Sequence, residues 1–254
     1  GLLKWTLAHS DGTAPSEVSK MSEEDQEWLA KVMESITVDV AKRMGAIGET
    51  LMKPDTEELV AEKEAVLEEL IDLVDNLDNA RDMCVLGGLG PLGRMLQSPH
   101  KTLQALAAEV AAMAAQNNPK VQEIALGNGL LDTVLPMAKD ASSPDVQPKA
   151  VLALSCLVRD YPPSTVWFLE NGGLDLLKTL LGHPTARLQR RSLVLLRHML
   201  HDPVSSAAIA PTTLQAVAAF TSSEDVDLRE NSWHVFREFM LSGDTTAAAP
   251  AAPA

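Results

Sequence analysis

Apolar residues fall on one helix face in five blocks that recur roughly every 40 residues along the chain. The blocks are Leu70, Leu73, Val74, Leu77; Ala107, Val110, Ala111, Ala114; Ala150, Ala153, Leu154, Leu157; Ser192, Leu195, Leu196, Met199; and Ser232, Val235, Phe236, Phe239. Each has the i, i+3, i+4, i+7 spacing of a helix that buries one stripe. No stretch of useful length alternates with period two, so the pattern predicts helices and no sheet. Punctuation repeats in step. Gly88-Leu89, Gly129-Leu130 and Gly173-Leu174 each open an apolar run, and glycine there can take the positive φ of a sharp helix-to-helix corner. Pro99, Pro144 and Pro184 close those runs ahead of the blocks. Each unit therefore reads as short helix, glycine corner, medium helix, loop, long helix. That order predicts an all-α, armadillo-like right-handed solenoid of about four repeats with an N-terminal helical cap.

The flanks divide the rest. Residues 1–20 read as a flexible segment with an apolar patch of Leu2, Leu3, Trp5 and Leu7 around Lys4. Residues 21–60 read as the cap, opened by a capping-box-like Ser22 and Asp25 and carrying Trp28, Leu29, Val32, Met33 and Ile36 up to a stop at Pro54. The repeats then occupy 61–241, and 242–254 is an Ala/Pro-rich tail expected to be disordered. After the fourth block only one long helix, 226–241, is apparent, which predicts a groove that ends early.

Composition narrows function. The 254 residues hold 35 acidic against 21 basic side chains, a formal charge of −14, which disfavours nucleic acid and anionic membrane and suits a basic or mixed protein surface. Two cysteines, Cys84 and Cys156, lie in different repeats and read as reduced, packed thiols, consistent with a cytoplasmic chain. There is no secretory h-region or run of about 20 apolar residues.

Motifs for chemistry are lacking: there is no phosphate loop, nucleophile elbow, H-E-x-x-H or C-x-x-C. The GGLG at 87–90 sits at a repeat corner rather than after a strand. The glutamates at 57, 58, 62, 64, 68 and 69 spread round a helix as a solvated face. His198, His201 and Asp202 could assemble a metal site, but the end of a solvated helix is the preferred reading. No enzyme and no cofactor is expected. The better candidate is a ridge. One residue ahead of each block stand Glu69, Leu106, Lys149, Arg191 and Asn231, and near the helix ends stand Asn79, Gln116, Arg159 and His201. In armadillo stacking the third helices line a concave groove, so these positions would face a protein partner. Arg191, mid-array beside Arg187 and Arg190, is the strongest of them because arginine is enriched in binding hot spots.

The segments LLKWTLAHS (2–10), MSEEDQEWL (21–29), LVDNLDNARD (73–82), AAQNNPKVQE (114–123) and ALSCLVRD (153–160), in that order, resemble the armadillo-type nucleotide exchange factors of cytosolic heat-shock-70 (DnaK-type) chaperones, the Fes/Hsp-binding-protein family. The resemblance implies a monomeric co-chaperone that grips lobe II of the chaperone's nucleotide-binding domain in its groove, favours the open cleft and so promotes ADP and client release. It implies partner contacts at Asn79, Ala80 and Arg191, to which groove position adds Gln116, Asn117, Lys149 and Arg159. It also implies that Leu2, Leu3, Lys4, Trp5 and Leu7 act on client release by occupying the chaperone's peptide groove. The alternative is a general armadillo adaptor for an extended peptide, weakened because Trp233 is followed four on by Arg237 and no other long helix carries a Trp.

Overall fold

The computed structural model describes residues 22, 24–28, 40–209 and 211–246, in two separate compact units that divide after Asp39. In the first, residues 24–28 are helical. The predicted capping-box-like start is there: the Ser22 Oγ donates to the Asp25 carboxylate (2.6 Å) and accepts from the Asp25 N–H (3.1 Å). Leu2, Leu3, Lys4, Trp5 and Leu7, and the cap-helix positions Leu29, Val32, Met33 and Ile36, lie outside the described residues.

The second unit begins with α1 (Val40–Met52) and α2 (Glu57–Val74), followed by four triplets. These are α3 (Leu77–Val85), α4 (Leu89–Leu96) and α5 (Lys101–Ala115); α6 (Pro119–Gly127), α7 (Leu130–Lys139) and α8 (Gln147–Val158); α9 (Pro162–Glu170), α10 (Gly173–Leu181) and α11 (Ala186–Met199); and α12 (Pro203–Ala208), α13 (Pro211–Ala218) and α14 (Val226–Thr246). Like packs on like. First helices meet as α3–α6–α9–α12, second helices as α4–α7–α10–α13, and third helices as α2–α5–α8–α11–α14. Each triplet so touches only its neighbours, the nearest-neighbour logic of a solenoid. The blocks at Ala107, Ala150 and Ser192 are buried throughout, as period and register predict, and in the last block Ser232 and Val235 are buried while Phe236 and Phe239 pack half-buried against the core.

Four expectations need correction. The last long helix is not alone: α12 and α13 complete its triplet, and α14 runs five residues past 241. Ser242, the first residue past the expected boundary, is held there by bonds from the Ser206 hydroxyl (2.9 Å) and to the Phe239 carbonyl (2.8 Å), so the start of the expected tail is helix. The boundary drawn at 61 falls inside α2, because the chain breaks at Pro54–Thr56, where Thr56 is extended. Leu77 leaves its block: α2 ends at Val74, and Leu77 opens α3 at 44% exposure. Finally, the positive φ falls on Gly87 (85°), Gly129 (70°) and Gly172 (78°), not on Gly88 or Gly173. In the Gly-Gly pairs the second glycine serves close approach instead. A Cβ on Gly173 would lie 2.4 Å from the wholly buried Phe168 ring.

A device invisible to the apolar pattern fixes the angle between second and third helices. Gln104 Nε2 donates to the Ser98 carbonyl (2.6 Å), Gln147 Nε2 to Ala138 (3.1 Å), and Gln189 Nε2 to Leu181 (3.3 Å) and His183 (2.7 Å). These glutamines occupy one repeat position, three residues before each block. In the last triplet Arg229 takes it and donates to the Ser223 carbonyl (2.6 Å). Each closes carbonyls left open at the end of the preceding helix or in the loop after it.

The α1–α2 corner is held by a buried lysine. Lys63, wholly buried, donates to the carbonyls of Leu51 (3.2 Å) and Lys53 (2.6 Å) and pairs with Asp55, whose other oxygen accepts from the Ser98 hydroxyl (2.9 Å). Lys63 thereby supplies the missing partners at the C-terminal end of α1 while the Asp55 carboxylate balances its charge.

Candidate functional site

The third helices expose the faces not used in stacking, and the ridge positions were expected to stand free there. They do not all do so. Lys149 on α8 pairs with Glu109 on α5, each side chain about a quarter exposed (26% and 27%). Arg191 on α11 reaches back one repeat and donates to the Pro148 carbonyl at the start of α8. It is half-buried, and burial together with the nearby Arg187 cation holds its pKa below the ordinary arginine value. The expectation of a freely projecting Arg191 is therefore corrected: it is a pre-positioned guanidinium, tied at one nitrogen. Arg187, one turn earlier on the same face, is exposed. Arg190 points elsewhere, to Asp225 and Asp227 at the start of α14, both at 3.1 Å. At the N-terminal end of the ridge Glu69 is bound by Arg43 of α1, whose hydrogen bond lowers its carboxyl pKa.

A second line runs past the C-terminal ends of the third helices. Gln116 and Arg159 both end their helices in extended backbone, and the residues after them, Asn117 (φ 53°) and Asp160 (φ 59°), are left-handed. Asn and Asp are the side chains that tolerate this conformation best after glycine. The turn displays Gln116 and Asn117 to solvent. Arg159 is partly covered, its Nε 3.6 Å from Asp160 Oδ2. Buried amides brace the turns from below. Asn118 Nδ2 donates to the Leu77 carbonyl (3.0 Å), and Gln122 Nε2 donates to the carbonyls of Cys156 (2.7 Å) and Arg159 (2.8 Å). Asn79 lies in the first turn of α3, just past the equivalent end of α2, half-buried, with its Nδ2 on the Leu73 carbonyl (2.9 Å). Ala80 does not line any surface: it is wholly buried in the core, so the direct contact expected of it is replaced by a packing role.

On the second-helix face, Arg94 of α4 donates to the Met52 carbonyl at the end of α1, whereas Lys178 of α10 is exposed. Both cysteines are free and buried, and burial raises Cys84 to about 11 and Cys156 above its ordinary value, so neither is a poised nucleophile. Among the described residues no helix is long and apolar enough to cross a membrane.

Sequence reasoning missed one grouping. Asp160 lies against His198, Oδ1 to Nδ1 at 3.2 Å, and His201 stands beside them. Asp202, the residue first associated with these histidines, is instead the N-cap of α12, accepting from the Ser205 N–H at 2.8 Å. Burial lowers the His198 pKa, partly opposed by Asp160.

Family models match in two stretches: residues 79–235 match the SIL1/FES1/HPBP1 C-terminal domain, and residues 1–83 match "Nucleotide exchange factor Fes1". The chain is 28% identical over 245 residues to human Hsp70-binding protein 1, covering 91% of this chain and 68% of that one. It is 30% identical over 203 residues to the Hsp70 nucleotide exchange factor FES1 of Eremothecium gossypii, covering 78% and 69%. Among solved structures it is similar to a designed armadillo repeat protein in complex with the peptide (KR)4, with a TM-score of 0.69, 16% identity and coverage of 86% and 95%. It is also similar to an armadillo-repeats-only protein from Plasmodium falciparum, with a TM-score of 0.60, 13% identity and coverage of 87% and 100%. These structural likenesses identify the fold as armadillo-like.

Proposed function

The chain belongs to the SIL1/FES1/HPBP1 family, and from that premise we propose that it is a nucleotide exchange co-chaperone that holds a heat-shock-70 chaperone against its third-helix face. The supporting observation is the placement of charge. In a chain of net charge −14, the neighbouring cations Arg187 and Arg191 stand on α11, and Lys149 and Arg159 lie on and beside α8, balanced in part by Glu109 and Asp160. A cationic strip on an acidic protein suits a partner surface bearing carboxylates and steers its approach. Lobe II of the nucleotide-binding domain is the assigned surface, with Asn79, Gln116 and Asn117 extending the contact along the helix ends. Ala80 contributes by packing in the core. The protein acts as a monomer in the cytoplasm, where Cys84 and Cys156 stay reduced. Leu2, Leu3, Lys4, Trp5 and Leu7 form the client-release segment.

The mechanism is a population shift rather than catalysis. Only a partner that binds the open cleft better than the closed one can promote ADP release, and the shift equals its differential affinity for the two states. A rigid array of packed helices suits this task because it cannot follow the chaperone lobes as they close. The test is release of a fluorescent ADP analogue from a purified heat-shock-70 chaperone. Acceleration that saturates with the added chain is expected. Unchanged release despite measurable binding would support the peptide-adaptor reading instead.

Arg191→Ala is expected to lower chaperone affinity about thirtyfold, on the order of 2 kcal/mol, by calorimetry. It also removes the bond to the Pro148 carbonyl, so a stability loss of about 1 kcal/mol should accompany it in thermal unfolding. Lys178→Glu on the second-helix face should change neither quantity. Wild-type affinity for a folded Arg191→Ala chain would remove α11 from the contact.

A further inference from the structure

The cleft between the turn after α8 and the end of α11 gathers metal-ligand chemistry beside the proposed partner contact Arg159. We propose that Asp160, His198 and His201 form a site for one divalent transition-metal ion, Zn2+ foremost. One oxygen or nitrogen from each of the three lies within 4.8 Å of the other two, although Asp160 is 38 residues from His198 in sequence. The Asp160 Oδ1 to His198 Nδ1 separation is 3.2 Å. Two ligands of a tetrahedral ion with bonds of about 2.0–2.1 Å are about 3.3 Å apart, so this pair already spans one edge of such a site. The His198 and His201 rings meet edge to face with centroids 5.7 Å apart, and His201 is the more exposed of the two.

Outer groups orient the ligands. Asp160 is fixed by its left-handed backbone, and its second oxygen faces Arg159 Nε at 3.6 Å, leaving Oδ1 turned to the histidines. His201 Nε2 lies 3.4 Å from a Glu238 carboxylate oxygen on α14, which leaves Nδ1 for the ion and reproduces the carboxylate–histidine–metal relay. Two imidazoles and one carboxylate suit Zn2+ and its first-row neighbours rather than Mg2+ or Ca2+. Val158, Leu195 and Met199 line the cleft wall, and its open side leaves a coordination position for water. A bound ion would join the turn after α8 to the α11–α12 corner next to Arg159.

The test is calorimetric titration of the full, untagged chain with zinc sulfate, and with cobalt sulfate to read coordination from visible absorption. One equivalent is expected, with the intense visible bands of four-coordinate Co2+. His201→Ala, at a half-exposed position that leaves the core untouched, should weaken zinc binding at least a hundredfold. Asp160→Asn, whose amide suits the same left-handed turn as Asn117, should weaken it at least tenfold. Glu238→Gln should weaken it to a smaller extent. Equal zinc affinity and stoichiometry in wild type and His201→Ala, or no binding by wild type at millimolar zinc, would overturn the site and leave a plain His–Asp hydrogen bond.

Discussion

Lys63→Ala should be among the most damaging single substitutions in this chain, lowering stability by about 3 kcal/mol in urea unfolding monitored by circular dichroism. Removing one member of a buried ion pair leaves the other uncompensated, and here two helix-end carbonyls lose their donor as well. Lys63→Met keeps the packed stem and isolates the charge. The Asp55 carboxyl is held below its ordinary value, first by the Lys63 hydrogen bond and further by Ser98 and the Lys63 and Arg94 charges. A depressed carboxyl contributes stability that is complete above its unfolded pKa, about 3.9, and is lost as the pH falls through the folded value. Wild type should therefore lose stability in acid more steeply than Lys63→Met. Parallel acid profiles would show that the pair contributes nothing beyond packing.

Gly173→Ala should cost about 2 kcal/mol although it adds a single methyl, because that methyl would fall 2.4 Å from the Phe168 ring, which is wholly buried and has nowhere to retreat. The double variant with Phe168→Leu should recover part of the loss, so the two changes would be non-additive. Gly90→Ala in the first turn of α4 provides the contrast: nothing lies within 4 Å of the added carbon, and removing a helical glycine should leave stability unchanged or raise it by up to about 1 kcal/mol. Thermal unfolding of wild type, Gly173→Ala, Phe168→Leu, the double variant and Gly90→Ala would decide; an unaltered midpoint for Gly173→Ala would mean that α9 and α10 can separate freely.

The stack was legible because solenoid units bury the same columns in the same order, so Ala107, Ala150 and Ser192 could be aligned with no knowledge of contacts. The last triplet was missed for a matching reason. Helix α12 has six residues and α13 eight, too short for a repeating stripe, and their starts are marked only by Asp202-Pro203 and Pro211. At the site, sequence placed Glu69, Lys149 and Arg191 on the right helices, but it set Asn79 at the end of a helix that stops at Val74 and could not tell which side chains were already engaged. Glu109 with Lys149, and Arg191 with the Pro148 carbonyl, are partnerships across a full repeat, which no local periodicity encodes. The glutamines at 104, 147 and 189 were readable in principle, since they recur in register, yet a search confined to apolar columns passes over them.

Those glutamines make each third helix a lever pivoted at its own first turn. Their bonds stay inside one triplet, so they act on each inclination from within, beside the packing of third helix on third helix. Helix α5, with 15 residues, is about 22 Å long, and tilting it by about 5° would carry its far end about 2 Å. Gln116 and Asn117 lie at that far end, and Arg159 at the corresponding end of α8. Substituting Gln104 or the buried Gln147, which a partner need never touch, would thus respace the groups offered to that partner and alter fit while leaving every contacting side chain in place.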